Sequence, residues 1–187
     1  MCSSDLRKKV HAVTREDLIC SLHLNGVGVE IGVWDGYFSH FIIKNSKFTR
    51  FYSVDAWDTK YTKEQLTQQD SDDAFKSAQL KLAQFRDVSQ LVKLPSLEAA
   101  SLFKDDYFDF IYIDASHDYA SVKNDVNIWW KKLKYGGIFS GHDYCEKTNY
   151  GVISAVNEFM RASNQTLNLT DEPVYKSWWV KKTFKVI

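Results

Sequence analysis

Two short stretches gather side chains able to move a proton or hold a cation: Asp114-Ala115-Ser116-His117-Asp118-Tyr119 and His142-Asp143-Tyr144. Carboxylates and imidazoles together can hold a divalent ion. Two carboxylates with few soft ligands favour Mg2+ or Mn2+ over zinc. An imidazole, with an ordinary pKa of about 6.5, is suited to take a proton near neutral pH. Asp114, His117, His142 and Asp143 are therefore four candidate metal or catalytic side chains. A third stretch, Gly26 to Ser39, has a different chemistry. Glu30 is an acid near the end of an apolar run, and a buried carboxylate is costly unless paired. Gly32 and Gly36 follow it, where the chain must turn sharply and a ligand can approach the backbone.

These stretches work together only if strands bring them to one edge. Val27, Val29 and Ile31 predict a buried strand. Phe38, Phe41 and Ile42 then fall at helical spacing, to about Asn45. A strand feeding a helix through glycines holds a nucleotide-like ligand at the carboxyl edge of a sheet. Phe51–Asp55 predicts a second strand closed by an acid 25 residues beyond Glu30. A carboxylate there accepts from both ribose hydroxyls of a nucleoside, or else caps the strand end. Trp57 is placed either to stack on adenine or to pack the loop. Tyr107–Asp114 and Ile138–Tyr144 predict two more strands. As parallel neighbours about 5 Å apart, they would bring the four candidate side chains together.

Glu30-x-Gly32-x-x-x-Gly36 resembles the first motif of class I S-adenosylmethionine-dependent methyltransferases. Asp114-x-x-His117-x-Tyr119 and His142-Asp143-Tyr144 resemble a group of class I O-methyltransferases acting on sugars and macrolide glycosides, with the cephalosporin-hydroxylase-like enzymes. Leu133-Lys134-Tyr135-Gly136-Gly137 resembles the family's turn into the fifth strand, with Tyr135 where proline is usual. The matches run from about Gly28 to Tyr144.

The resemblance implies an α/β, Rossmann-like class I methyltransferase fold: a seven-stranded, mostly parallel sheet with helices on both faces. It implies S-adenosylmethionine as cofactor, with Mg2+ or Mn2+ as a further candidate. Glu30 would place the methionine end, and Gly32, Trp34, Gly36 and Ser39 would surround the cofactor. Asp55 would hold the ribose, and Trp57, Ser96 and Asp114 would complete the site. Ser96 would meet the adenine edge, with an N-cap as its plainer role. Asp114 and Asp143 would be ion ligands. His142 stands where some relatives have an acid, and a neutral imidazole there weakens Mg2+ binding. His117 would be the general base. The implied reaction is methyl transfer to a hydroxyl of a small molecule, a sugar or glycan.

Around this frame, Thr14-Arg15-Glu16-Asp17 predicts a capped helix with Leu18, Ile19 and Leu22 inward, so residues 1–24 form a helical segment and a candidate lid. Residues 56–70 read as a long loop or weak helix, and Asp73 to Phe85 as a helix with Phe75, Leu80 and Leu82 apolar. Val88–Leu94 reads as a strand, Val122, Val126 and Trp129 as one helix face, and Val152 to Arg161 as a helix. Leu167–Leu169 and Trp178–Val180 read as a final hairpin.

The 187 residues suffice for one domain over 1–187. Zero net charge gives no electrostatic footprint for nucleic acid or an anionic membrane. No apolar run is long enough to span a bilayer, and Met1–Arg7 has no signal-peptide core. Cys2, Cys20 and Cys145 are scattered and odd in number, which suits reduced thiols in the cytoplasm. A homodimer is one expectation for assembly. Tyr119-x-x-x-Lys123 matches a dehydrogenase motif, but this glycine loop lacks the last glycine such enzymes carry. That leaves an NAD(P) oxidoreductase, or an inactive cofactor-binding module, as the alternatives.

Overall fold

The computed structural model describes residues 12–61, 65–147 and 150–183. Cys2, residues 1–11 of the expected N-terminal segment and 62–64 of the expected loop lie outside the described residues. Seven strands form one sheet: β1 (Asn25–Ile31), β2 (Lys47–Asp55), β3 (Ser89–Lys93), β4 (Phe108–Ile113), β5 (Leu133–Tyr144), β6 (Asn168–Leu169) and β7 (Lys176–Lys181). Their order is β3-β2-β1-β4-β5-β7-β6. The first five run parallel; β7 pairs antiparallel with β5 and with β6, as the expected hairpin.

Strand β4 shows why the sheet takes a layer on each face. Phe110 and Tyr112 pack with Ile19, Phe38 and Ile42, from α1 (Arg15–Ser21) and α2 (Tyr37–Lys44). Ile111 and Ile113 point the other way. They meet Val122 and Val126 of α5 (Tyr119–Lys132) and Val156 of α6 (Val152–Ser163). A parallel strand buried on both faces reads as a continuous apolar run. The seven-stranded, mostly parallel expectation therefore holds. No helix among the described residues is long and apolar enough to cross a membrane.

The largest boundary differences from the sequence expectation fall at three element starts. Helix α3 spans Gln68–Leu82, five residues earlier than expected, because Thr67 and Asp70 form a reciprocal capping box. Its inner face is Ala74, Ala78 and Leu82; Leu80, expected inside, is 79% exposed. Strand β2 starts at Lys47, and β5 at Leu133, ahead of the Gly136-Gly137 pair. Helix α4 is short, Ser96–Ala100, with Pro95 as its N-cap, so Ser96 is not the cap.

Candidate active site

Asp114 leaves β4 with its N–H donating to Ile31 O at 2.7 Å, which ties the strand end to β1. Ile113 of β4 pairs with Gly141 of β5, so the residues after each emerge side by side. His117 Nε2 lies 2.9 Å from Asp143 Oδ2 and 3.9 Å from Asp114 Oδ1. His142 Nδ1 lies 3.2 Å from Asp143 Oδ2 and 3.9 Å from Asp114 Oδ1. All four expected side chains share one rim. Asp143 is held at φ +56°, a conformation a non-glycine residue rarely adopts and one that concentrates at functional sites.

The donor set fits a divalent cation. One ligand atom from each of Asp114, His117 and Asp143 lies within 4.8 Å of the others. His117 Nε2 is buried without an aligned hydrogen-bond partner, although two carboxylates stand beside it. The crevice among these residues encloses about 10 Å³, room for one ion or water. A larger cavity of about 470 Å³ lies elsewhere, lined by residues such as Tyr52, Phe103 and Tyr107 and by none of these four.

Electrostatics corrects one expectation. Burial alone would lower the His117 pKa. Contact with Asp114 and Asp143 outweighs it and raises the pKa to about 10. The ring is thus an imidazolium at neutral pH in the ion-free chain, not a base poised near its ordinary value. Burial opposes ionisation of Asp143 too, but the two imidazoles hold its carboxyl well below the usual range. His142 is also raised: burial acts against it, and Asp143 and Asp114 act for it.

The glycine turn lies one strand away. Asp55 Oδ2 accepts from Val33 N and Trp34 N, both at 2.9 Å, and Oδ1 from Trp57 N at 2.8 Å. The carboxylate therefore shapes the loop first, with one lone pair, on Oδ1, left for a ligand. Gly32 sits at φ +87°, and a Cβ there would lie 2.1 Å from Asp114 O. Gly36, at φ +82°, would strike Ala78 of α3 at 2.8 Å. Both glycines are thus demanded by the expected sharp turn and also by the protein's own close packing. Trp34, at φ +51°, is exposed on this loop.

Three expected cofactor contacts are committed to the interior. Glu30 is 1% exposed and accepts from Ser39 Oγ, which also meets Ser53 Oγ at 2.7 Å. Burial pushes the Glu30 carboxyl well up, against the bond from Ser39. Trp57 is buried, donates from Nε1 to Trp34 O at 2.8 Å, and packs on Phe75 at 4.7 Å. It packs the loop and offers no open face for stacking.

Ser96 donates to Asp125 Oδ1 at 2.5 Å and accepts from Trp129 Nε1 at 2.9 Å. Burial lifts the Asp125 pKa to about 6, against the Ser96 bond and with a push from Asp118. The native chain holds this proton between about pH 4 and 6, where the unfolded chain has lost it, so stability falls as pH rises through that window. Asp125→Asn keeps the acceptor and removes the buried charge. It is expected to gain about 1–2 kcal/mol at pH 7 and to flatten that slope, read from thermal midpoints between pH 4 and 7.5.

Sequence reasoning missed Arg15. Its Nη1 donates to Asp114 Oδ2 at 3.2 Å. The sequence signal there was a capping pattern, which says nothing of a partner 99 residues away.

The family described as "Methyltransferase domain" matches residues 29–144. No curated protein sequence matches. Among solved structures, an O-methyltransferase from Bacillus cereus in complex with SAH superposes at TM-score 0.64 and 16% identity, over 89% of this chain and 78% of that one. A proposed caffeoyl-CoA O-methyltransferase from Staphylococcus aureus gives 0.66 and 17%, over 89% and 82%. A precorrin-6y C5,15-methyltransferase from Geobacter metallireducens gives 0.63 and 15%, over 90% and 87%. At these identities the likeness speaks for the fold, and the fold hosts different acceptors. The family match, by contrast, runs from β1 to the last residue of β5 and takes in both the glycine turn and the paired strand ends; the chain belongs to the methyltransferase-domain family, as a class I S-adenosylmethionine-dependent methyltransferase.

Proposed function

We propose that the protein transfers the methyl group of S-adenosylmethionine to a hydroxyl oxygen of a small molecule, with sugars or glycans as the acceptor class. The observation that carries this reading is the meeting of Asp114, His117 and Asp143 at two adjacent strand ends. Asp114 and Asp143 would hold Mg2+ or Mn2+, with His142 alongside; hard carboxylate oxygens suit such ions. A bound divalent ion supplies Lewis-acid stabilisation of an oxygen gaining alkoxide character.

The remaining work falls to the chain. The acceptor O–H passes its proton to His117 as oxygen bonds the methyl carbon and the carbon–sulfur bond breaks, leaving a neutral thioether. His117 accepts a proton only once its carboxylate neighbours are otherwise engaged, because in the ion-free chain they keep it protonated. Tyr61 and Tyr150 flank the rim and are 43% and 40% exposed; Tyr150 lies 4.7 Å from the His117 ring. Such rings suit the apolar faces of sugars. Register between acceptor and methyl supplies much of the acceleration.

The test is turnover of S-adenosylmethionine against sugars, catechols and amines, with Mg2+ or with EDTA. Sugar hydroxyls are expected to react, and EDTA to lower the rate by about 100-fold or more. Amines as the only acceptors would overturn the acceptor assignment. Undiminished turnover in EDTA would remove the ion.

A further inference from the structure

Helix α1 reaches into the site through one side chain. The Arg15 guanidinium carbon lies 4.3 Å over the Phe38 ring, and Nη1 bonds Asp114. Its charge is also felt by buried Glu30. The far end of the chain fixes this helix. Arg15 N donates to Glu172 Oε1 at 3.2 Å, and Asp171 N donates to Ala12 O at 3.1 Å. Glu172 Oε2 accepts from Thr170 Oγ1 at 2.6 Å and Ser177 N at 3.1 Å. The guanidinium is thus mounted on a braced helix and aimed at the rim between β1 and β4.

We propose that Arg15 recognises the α-carboxylate of S-adenosylmethionine, exchanging Asp114 for that carboxylate when the cofactor binds. The inference rests on the cofactor reading above. A sulfonium has three substituents. With the nucleoside at the end of β2 and the methyl aimed at the ends of β4 and β5, the nucleoside crosses β1. The amino-acid arm must then reach the same rim, beside β1 and β4. A carboxylate leaving water there needs a cation. Among the described residues, Arg15 is the permanent cation paired with Asp114; the other two partners are histidines. A guanidinium forks onto a carboxylate through two N–H groups, where the hydrogen bond to Asp114 uses one. The exchange would also free Asp114, so cofactor and divalent ion should strengthen one another's binding.

Two nucleosides separate this role from a structural one. S-adenosylhomocysteine carries the amino-acid arm; 5′-methylthioadenosine lacks it. In calorimetric titrations of the full chain, Arg15→Met is expected to weaken the first by about 10–100-fold and the second by less than about twofold. Arg15→Lys, which keeps the charge and loses the fork, should fall between for the first ligand and leave the second unchanged. Binding of 5′-methylthioadenosine certifies the fold of each variant. An unchanged ratio of the two affinities in both variants would overturn the Arg15 assignment alone. A wild-type chain that binds neither nucleoside would overturn the cofactor reading and this inference together.

Discussion

Asp143→Asn is expected to lower kcat by about 10²–10³-fold while S-adenosylhomocysteine still binds. The carboxylate is the nearer of the two that meet both imidazoles, at 2.9 and 3.2 Å against 3.9 Å for Asp114, and supplies one of the three clustered ligand atoms. Asparagine keeps its shape and removes its charge. In the ion-free chain, His117 should then titrate below about 10, with Asp114 alone still raising it, as read by histidine NMR. Stability follows the same linkage. The lowered Asp143 pKa contributes stability that is present above about pH 4 and lost as pH falls through the native value. The raised His117 pKa contributes stability that is present below about pH 6.5 and lost as pH rises toward about 10. Wild type should therefore unfold hardest between these limits; the variant should lose the acid slope and keep part of the alkaline one, because Asp114 still faces His117. A variant within tenfold of wild-type turnover, or a His117 resonance that titrates unchanged, would rule the arrangement out.

His117→Gln carries the second large effect, a loss of about 10²–10⁴-fold in kcat with nucleoside binding retained. Glutamine can still touch Asp143 but cannot take a proton. The rate should stop rising with pH over the range in which wild type gains its neutral ring. The variant also separates two roles, since His117 sits among the clustered ligand atoms as well as being the proposed base. If excess Mn2+ restored the lost rate, the ring would be holding the ion, and the base would have to be sought elsewhere.

Much of the frame was legible because parallel strands declare themselves. Val27, Val29 and Ile31, then Phe108 to Ile113, are apolar runs with acids at or beyond their carboxyl ends, and the convergence of Asp114, His117, His142 and Asp143 followed from adjacency alone. What local pattern could not tell was the partner across the fold. Trp57 read equally as a stacking ring or a loop-packing one, because the contact with Phe75 of α3 that decides it is 18 residues away in sequence. Gly32 read as a turn open to a ligand, and the further demand on it, the Asp114 backbone that fills its space, was out of view because it belongs to another strand. Arg15 was hidden behind its own capping box. The start of α3 was readable in Thr67 and Asp70, a capping signal outweighed by the polar composition around it.

The brace between α1 and the segment before β7 has a consequence for how the polypeptide is born. Arg15 and its anchor Glu172 are 157 residues apart. At ribosomal speeds of about 5–20 residues per second, roughly 8–30 s separate their synthesis. The emerging chain therefore carries Arg15 for that whole interval, and its partner Asp114 for the last 58 residues of it, before the helix that mounts the guanidinium can be locked in place. A nascent chain stalled short of residue 172 should keep α1 open to protease, and one in which Glu172 has cleared the ribosome should protect it.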